Sequence, residues 1–457
     1  MSRFPSGSSI VLLCAFLHWV PQAAAETLGQ TVSSAVRHFP EIQAAQHRQE
    51  AVRAQAGQAR AELLPNLNTT LGIGRERSRN ISTRALGEHV TLSRQEAEVS
   101  VSQLLYDGGA AGGQVRRFDA LADSAGLAVF DTAETVGLRA SQAFADVQRL
   151  REQLVIAREN MGVHEKTLQD VKLIVDHGRG RRADFVQAEA RQALAVSSAE
   201  QIIGQLAQAE AVYKYFVGRP PGNLDPLPVF SARLPSRLDE AVATALARHP
   251  AVLAAEKDLL AAQHDQDSAR ARMTWPRVTV EASTARNRDI DGIPGTNNDA
   301  LAMLRLRYNL FRGFGDSERV REVAARVDQA VSEVARVRYE VERDVRQAWE
   351  ALMSDRARLP QLERYARASL EVAEAYRMQF QLGQRSLLDV LNAENERFNA
   401  NASAIAGRTA VALGELRLLA SMGALLSSLG VKVPERTPPP PPERVPGADA
   451  LGTRSAP

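Results

Sequence analysis

His177-Gly178-Arg179-Gly180-Arg181-Arg182-Ala183-Asp184-Phe185-Val186 and Leu382-Gly383-Gln384-Arg385-Ser386-Leu387-Leu388-Asp389-Val390-Leu391 stand 205 residues apart. In each stretch a glycine can supply the left-handed C-cap that stops one helix. A polar residue near Asp184 or Asp389 then begins the return helix. Capping by itself accounts for either aspartate taken singly. The recurrence needs a further explanation, and it lies in the sequence on both sides.

The same offset pairs Glu189 with Glu394, Gly218 with Gly423, Tyr106 with Phe311 and Gly108 with Gly313. Upstream it becomes 210 or 211, relating Pro40 to Pro250 and Pro65 to Pro276, so the extra residues of the first half lie mainly between Pro65 and Tyr106. The apolar pattern repeats in phase. Val136, Ala140, Ala143, Val147, Leu150, Leu154, Ala157, Met161, His164, Leu168, Val171 and Val175 advance by alternating steps of four and three. Their counterparts are Val341, Val345, Ala348, Leu352, Asp355, Leu359, Leu362, Ala366, Ser369, Ala373, Tyr376 and Phe380. This is a heptad seam in duplicate. Stretches 113–176 and 317–381 hold no proline but Pro360. Each predicts a helix on the order of 100 Å long at 1.5 Å per residue, the second kinked at Pro360.

Before each long helix the period changes to two. Leu304, Leu306, Tyr308 and Leu310 alternate with Arg305, Arg307 and Asn309, and Val278, Val280 and Ala282 with Thr279, Glu281 and Ser283. In the first half Val99, Val101 and Leu105 alternate with Ser100, Ser102 and Leu104, preceded by a strand over 67–75. Each pair reads as a hairpin with strands of roughly ten residues, the length and alternation of a membrane β-barrel strand. The polar run 291–299 reads as a long tip loop. Four strands are too few to close a barrel, which needs about eight, so closure requires several copies of the chain. The alternative is a soluble sheet packed on helices. Helices over 31–64 and 238–274, ending at Pro65 and Pro276, complete the two repeats.

By periodicity the chain is mainly α with two β-hairpins of membrane-strand character, built from two repeats. Residues 1–25 read as a signal peptide ending in Ala23-Ala24-Ala25. Residues 26–219 form the first repeat, 220–235 a proline-rich linker, 236–430 the second repeat, and 431–457 a disordered proline-rich tail.

Composition narrows the function. The 457 residues carry 56 basic and 54 acidic side chains, which leaves no electrostatic footprint for nucleic acid. Cys14 is the only cysteine and lies in the signal segment, and Leu13 before it is too large for a lipoprotein cleavage site. Neither disulfide nor thiol chemistry is expected. No catalytic motif is present, and the eight histidines are scattered without metal-ligand spacing. No enzyme activity, cofactor or metal is expected. His164, within the seam, reads as a core or pore-facing residue. The glycines of 108–113, echoed by Gly313-Phe314-Gly315, read as a strand-to-helix turn rather than a phosphate loop.

The chain up to about Gly430 resembles the TolC family of outer-membrane efflux and secretion channels. The resemblance rests on the duplicated architecture, Leu104-Leu105-Tyr106-Asp107-Gly108-Gly109, Tyr308-Asn309-Leu310-Phe311-Arg312-Gly313 and the Gly383 to Leu391 segment, in that order and spacing. It implies a fold that is mainly α with membrane β: a homotrimer in outer-membrane lipid whose twelve strands form a transmembrane β-barrel continuous with a long α-helical barrel, the tunnel through the periplasm. It also implies a periplasmic adaptor and an inner-membrane ABC transporter or RND-type pump as partners. By the same resemblance Asp184, Arg385 and Asp389 match gate residues. Phe380 stands where a gate tyrosine would be, and Asn392 where a second entrance aspartate would be. Gly178, Gly180, Gly383, Ser386, Leu387 and Leu388 belong to the tips and their adaptor-docking surface. A Phe380–Asp184 hydrogen bond is impossible.

Gln187-Ala188-Glu189-Ala190-Arg191 and the Tyr308 to Gly313 segment resemble the type I protein secretion branch most. A multidrug or metal efflux duct is the alternative within the family, and a soluble periplasmic coiled-coil scaffold or adaptor the alternative outside it.

Overall fold

The computed structural model describes residues 25–85 and 89–434. The signal segment to residue 24, and the tail from residue 435, lie outside the described residues. Helices α1 (Leu28–His38) and α2 (Pro40–Ala61) precede strands β1 (Asn66–Ser78) and β2 (Val90–Tyr106), the long helix α3 (Ala110–Asp176) and its return α4 (Arg182–Val217). The second repeat follows suit. It comprises α5 (Leu238–Arg248), α6 (Pro250–Thr274), β3 (Arg277–Ile290), β4 (Ile293–Arg307), α7 (Gly315–Gln381), α8 (Leu387–Ser421) and the short α9 (Leu425–Leu429).

The opening helix of each repeat, expected to be continuous, is two helices. Phe39 and His249 are extended, at φ −70, ψ 128 and φ −62, ψ 127. Each precedes a proline, whose ring disfavours helical geometry in the residue before it while suiting the first helical position itself. The long helices span 67 residues each, and α7 is one helix through Pro360. The duplicated seam is where the sequence placed it. Val136, Ala140, Val147, Ala157 and His164 are buried on α3, as are Val345, Leu352, Ser369 and Ala373 on α7.

The strands form one antiparallel sheet in the order β1-β2-β3-β4, so the β2–β3 pairing joins the repeats and β1 and β4 are open edges. At 13, 17, 14 and 15 residues the strands exceed the expected ten. The predicted tip loop of the second hairpin is a two-residue turn. Asp291 and Gly292 both have positive φ, 54° and 76°, between the paired Ile290 and Ile293. Asp-Gly favours this primed turn, whose twist matches that of the strands. The polar residues 296–299 are therefore strand. At the other end β4 stops at Arg307, and Leu310 and Phe311 lie in an exposed connection. The extra residues of the first repeat fall in its longer tip, where Thr83 is fully buried and Asn80 donates to the Asp291 carbonyl at 2.6 Å.

The largest core lies at mid-height, where Leu28, Val32, Val136, Phe144, Tyr213, Leu416 and Leu425 pack together. Each such buried apolar side chain contributes about 1.5–3 kcal/mol. The linker is not a free spacer. Phe230 is buried in this core and its N–H donates to Glu415 at 2.9 Å, while the Glu26 and Asp225 N–H groups complete a small bridge between residues 26 and 224. Residues 431–434, placed in the tail by composition, pack as well: Val431 and Val433 lie on the core and Gln46 donates to the Pro434 carbonyl at 2.8 Å.

Two buried carboxylates organise these returns. Glu415 of α8 also receives Arg356 at 2.7 Å. Glu134 of α3 accepts the backbone N–H groups of Leu425 at 3.0 Å and Leu426 at 3.2 Å, at the start of α9. Burial, the dominant influence, outweighs these favourable hydrogen bonds and pushes its carboxyl up to about 7.

Candidate functional site: the helical tips

Both tips end in the same backbone motif. Gly178 (φ 72°) donates to the Val175 carbonyl at 2.9 Å, and Arg179 to Ile174 at 3.0 Å. Gly383 (φ 74°) donates to Phe380 at 2.9 Å, and Gln384 to Gln379 at 2.8 Å. These are Schellman caps, which need a residue at ease in left-handed geometry.

The starts of the return helices differ. Ser386 caps α8, accepting the Asp389 N–H at 3.2 Å while its hydroxyl donates to the Asp389 carboxylate at 2.9 Å. Arg181 precedes α4 and offers no capping side chain. The second tip is thus fixed by side chains as well as backbone.

Arg385 lies over the Tyr376 ring at 4.0 Å and 3.9 Å from Asp389. The structure therefore brings Arg385 and Asp389 together. Asp184 makes no side-chain hydrogen bond or ion pair among the described residues, so one chain does not join it to Arg385. Phe380 packs with Leu168, Val171, Val175, Phe185, Ala188, Leu387 and Leu391 in an apolar cluster just behind the tips. Leu387, expected on the docking surface, is only 6% exposed, whereas Leu388 is 44% exposed. Adjacent helical residues point to different faces. Asn392 accepts a hydrogen bond from Arg191 at 2.7 Å, tying α8 to α4.

Behind this cluster lies a group that the sequence reading missed. Glu394, 2% exposed, receives Arg377 and, at 3.4 Å, Arg397. Its repeat partner Glu189 is exposed. The repeat made the two glutamates look equivalent, and only packing separates them. His164, 3% exposed, is a core residue with an unpartnered Nδ1 among the described residues. Burial lowers its pKa, opposed by the Glu394 charge and reinforced by Arg191.

The strand-to-helix turns hold as read. Gly108 and Gly109 have φ of 70° and 86°, and the Asp107 carboxylate accepts the N–H groups of Gly109 at 3.0 Å and Ala111 at 2.8 Å. On the sheet, Leu67, Leu71, Ile73, Val99, Leu304 and Leu306 are exposed. Among the described residues no helix is long and apolar enough to cross a membrane.

The sequence profile of the outer membrane efflux protein family matches residues 31–214 and 241–424, the two halves that the internal repeat defines. The chain belongs to this family. Its members are passive outer-membrane channels, not enzymes, and the present channel protein is accordingly one of the outer membrane. The soluble-scaffold alternative falls away. The channel is 27% identical over 305 residues to the outer membrane efflux protein BepC of Brucella suis biovar 1, covering 66% of each chain. With the protein CyaE of Bordetella pertussis it shares 25% identity over 407 residues, 87% of this chain and 84% of that one. Among solved structures, the outer-membrane channel OprN superposes with a TM-score of 0.75 at 20% identity, covering 87% of this chain and 90% of its own. The CmeC channel of Campylobacter jejuni gives 0.76 at 14% identity, covering 87% and 86%. These likenesses carry the fold.

Proposed function

We propose that three copies close the sheet into a twelve-stranded barrel and that the assembly is the outer-membrane channel of a type I protein secretion system. It conducts polypeptide from an inner-membrane ABC transporter and its periplasmic adaptor to the exterior. The observation that carries the duct reading is a sheet with an apolar exposed face and two open edges, mounted on paired 67-residue helices. Every backbone group on an open edge has to be satisfied before a sheet can sit in lipid.

The tips are the periplasmic entrance. In a closed ring Asp184 becomes available to Arg385 of a neighbouring copy, and exposed Leu388, with the turns at Gly178, Gly180 and Gly383, forms the surface an adaptor meets. Type I secretion is supported by the Gln187 to Arg191 and Tyr308 to Gly313 segments. Asn392, where the resemblance would put a second entrance aspartate, is neutral and accepts from Arg191, so each copy brings one carboxylate fewer to the entrance than that pattern.

A drug or siderophore efflux duct is the second reading, favoured by 28% identity over 312 residues to the pyoverdine export outer membrane protein OpmQ of Pseudomonas aeruginosa. Deleting the gene and comparing secreted proteins with drug susceptibility separates the two. Loss of a secreted protein with unchanged susceptibility is expected, and the reverse outcome overturns type I secretion. Purified protein in a planar bilayer should conduct.

A further inference from the structure

The duct reading leaves a group of arginines at the foot of the sheet without a role. Arg277 and Arg307 stand directly opposite each other in the β3–β4 register. Side chains alternate along a strand, so both lie on the face opposite that of Val278, Leu304 and Leu306. If the apolar face meets lipid, theirs meets the lumen. Directly opposed like charges destabilise a strand pair unless something lies between them. Arg272, in the last turn of α6, lines the same cavity of about 700 Å³.

The charge around this cavity is not balanced. Asp107 is occupied by the N–H groups of Gly109 and Ala111, Asp265 by Arg319 at 3.1 Å and Gln114 at 2.9 Å, and Asp316 by Arg312 at 3.6 Å. Glu62 makes no side-chain hydrogen bond or ion pair among the described residues, and neither do the side chains of Arg272, Arg277 and Arg307, Arg307 standing only within electrostatic reach of Glu281, which Arg305 already holds. Higher on the same face the charges are matched, Arg94 with Glu76 at 2.8 Å and Arg305 with Glu281 at 2.8 Å. The β1 strand that a neighbouring copy would offer to the β4 edge carries no charged inward side chain at its foot. The inward positions there are Asn66, Asn68 and Thr70.

We propose that Arg272, Arg277 and Arg307 form an anion-binding collar at the junction of barrel and tunnel, and that its ligand is the carboxylate-bearing chain of an acidic polypeptide in transit. The proposal rests on the duct reading and adds the chemistry of the cargo. Guanidinium groups bind carboxylates through paired, charge-assisted hydrogen bonds. Arginines on three elements around one wide cavity suit an extended chain carrying many carboxylates better than a single small anion. They are exposed, so the attraction is weak per contact and screened by salt, which permits passage.

The test uses the full-length channel in planar bilayers with poly-L-glutamate as probe and poly-L-lysine as control. Poly-glutamate should block the native channel at low salt, poly-lysine should not, and Arg277→Gln with Arg307→Gln should raise the half-blocking concentration at least tenfold. Arg272→Gln, outside the sheet, provides a second variant should the strand pair fail to fold. Equal block of native and variant channels, no block by poly-glutamate, or block by small anions with equal potency overturns the collar and leaves the duct standing. A folded, heat-modifiable oligomer that does not conduct overturns the duct and the collar with it.

Discussion

Glu134 gives the fold a built-in response to pH, and its size can be worked out. The carboxyl titrates at about 7 in the folded protein against 4.5 in an unstructured chain. A carboxyl whose pKa is raised on folding binds more protons folded than unfolded between those two values. Its contribution is therefore present at low pH and falls as pH rises from 4.5 to 7. If opening of the 424–434 segment solvates Glu134, opening should become easier by roughly 50-fold, about 2 kcal/mol, between pH 5 and pH 7.5. Hydrogen exchange of the Leu425 and Leu426 amides, which Glu134 accepts, reads this directly after correction for intrinsic rates. Glu134→Gln keeps an acceptor but cannot ionise, and its protection should be flat across the range. Native protection that does not change, or a variant retaining the slope, would refute the argument. Asp131, whose charge disfavours that of Glu134 and whose own carboxyl is pushed up by burial, faces His249 3.9 Å away. Asp131→Asn should leave most of the slope in place.

Arg385→Ala removes contacts to Asp389 and Tyr376 and should raise single-channel conductance by loosening the tips; unchanged conductance returns Arg385 to a purely local role. Glu394→Ala leaves Arg377 and the mostly buried Arg397 without their counter-charge and should cost about 3 kcal/mol, seen as earlier helix melting by circular dichroism. Gly108→Ala places a methyl 2.3 Å from Trp275 in a left-handed backbone and should abolish heat-modifiable oligomers, whereas Gly109→Ala, with open space around it, should cost only about 1–2 kcal/mol of backbone strain.

Periodicity made most of this fold legible. The in-phase seams located the long helices within a few residues, and the two-residue alternation located the strands, because burial on one face constrains every third or fourth residue, or every second. What failed was local. Pro40 and Pro250 mark the repeat in the sequence, yet their effect on Phe39 and His249 breaks each opening helix. Asp291-Gly292 sits in a polar run that reads as a long loop, although that dipeptide alone suffices for a tight turn. At the tips the glycine caps were visible, but the Arg385–Tyr376 contact and the burial of Glu394 were not, because they depend on which helix faces become neighbours. The equivalence of Glu189 and Glu394 in the repeat concealed that difference.

The sheet's two free edges have a consequence for how the protein is made. A lone copy exposes a row of unsatisfied backbone groups on β1 and another on β4, where Pro294 removes only a single donor. Such a chain has no resting place in hydrocarbon, so under ring closure insertion and assembly become one event. Yield should then climb steeply with the local supply of chains, and a copy with a spoiled edge strand should disable the sound copies it joins. Damage to one allele would be dominant over an intact one expressed beside it.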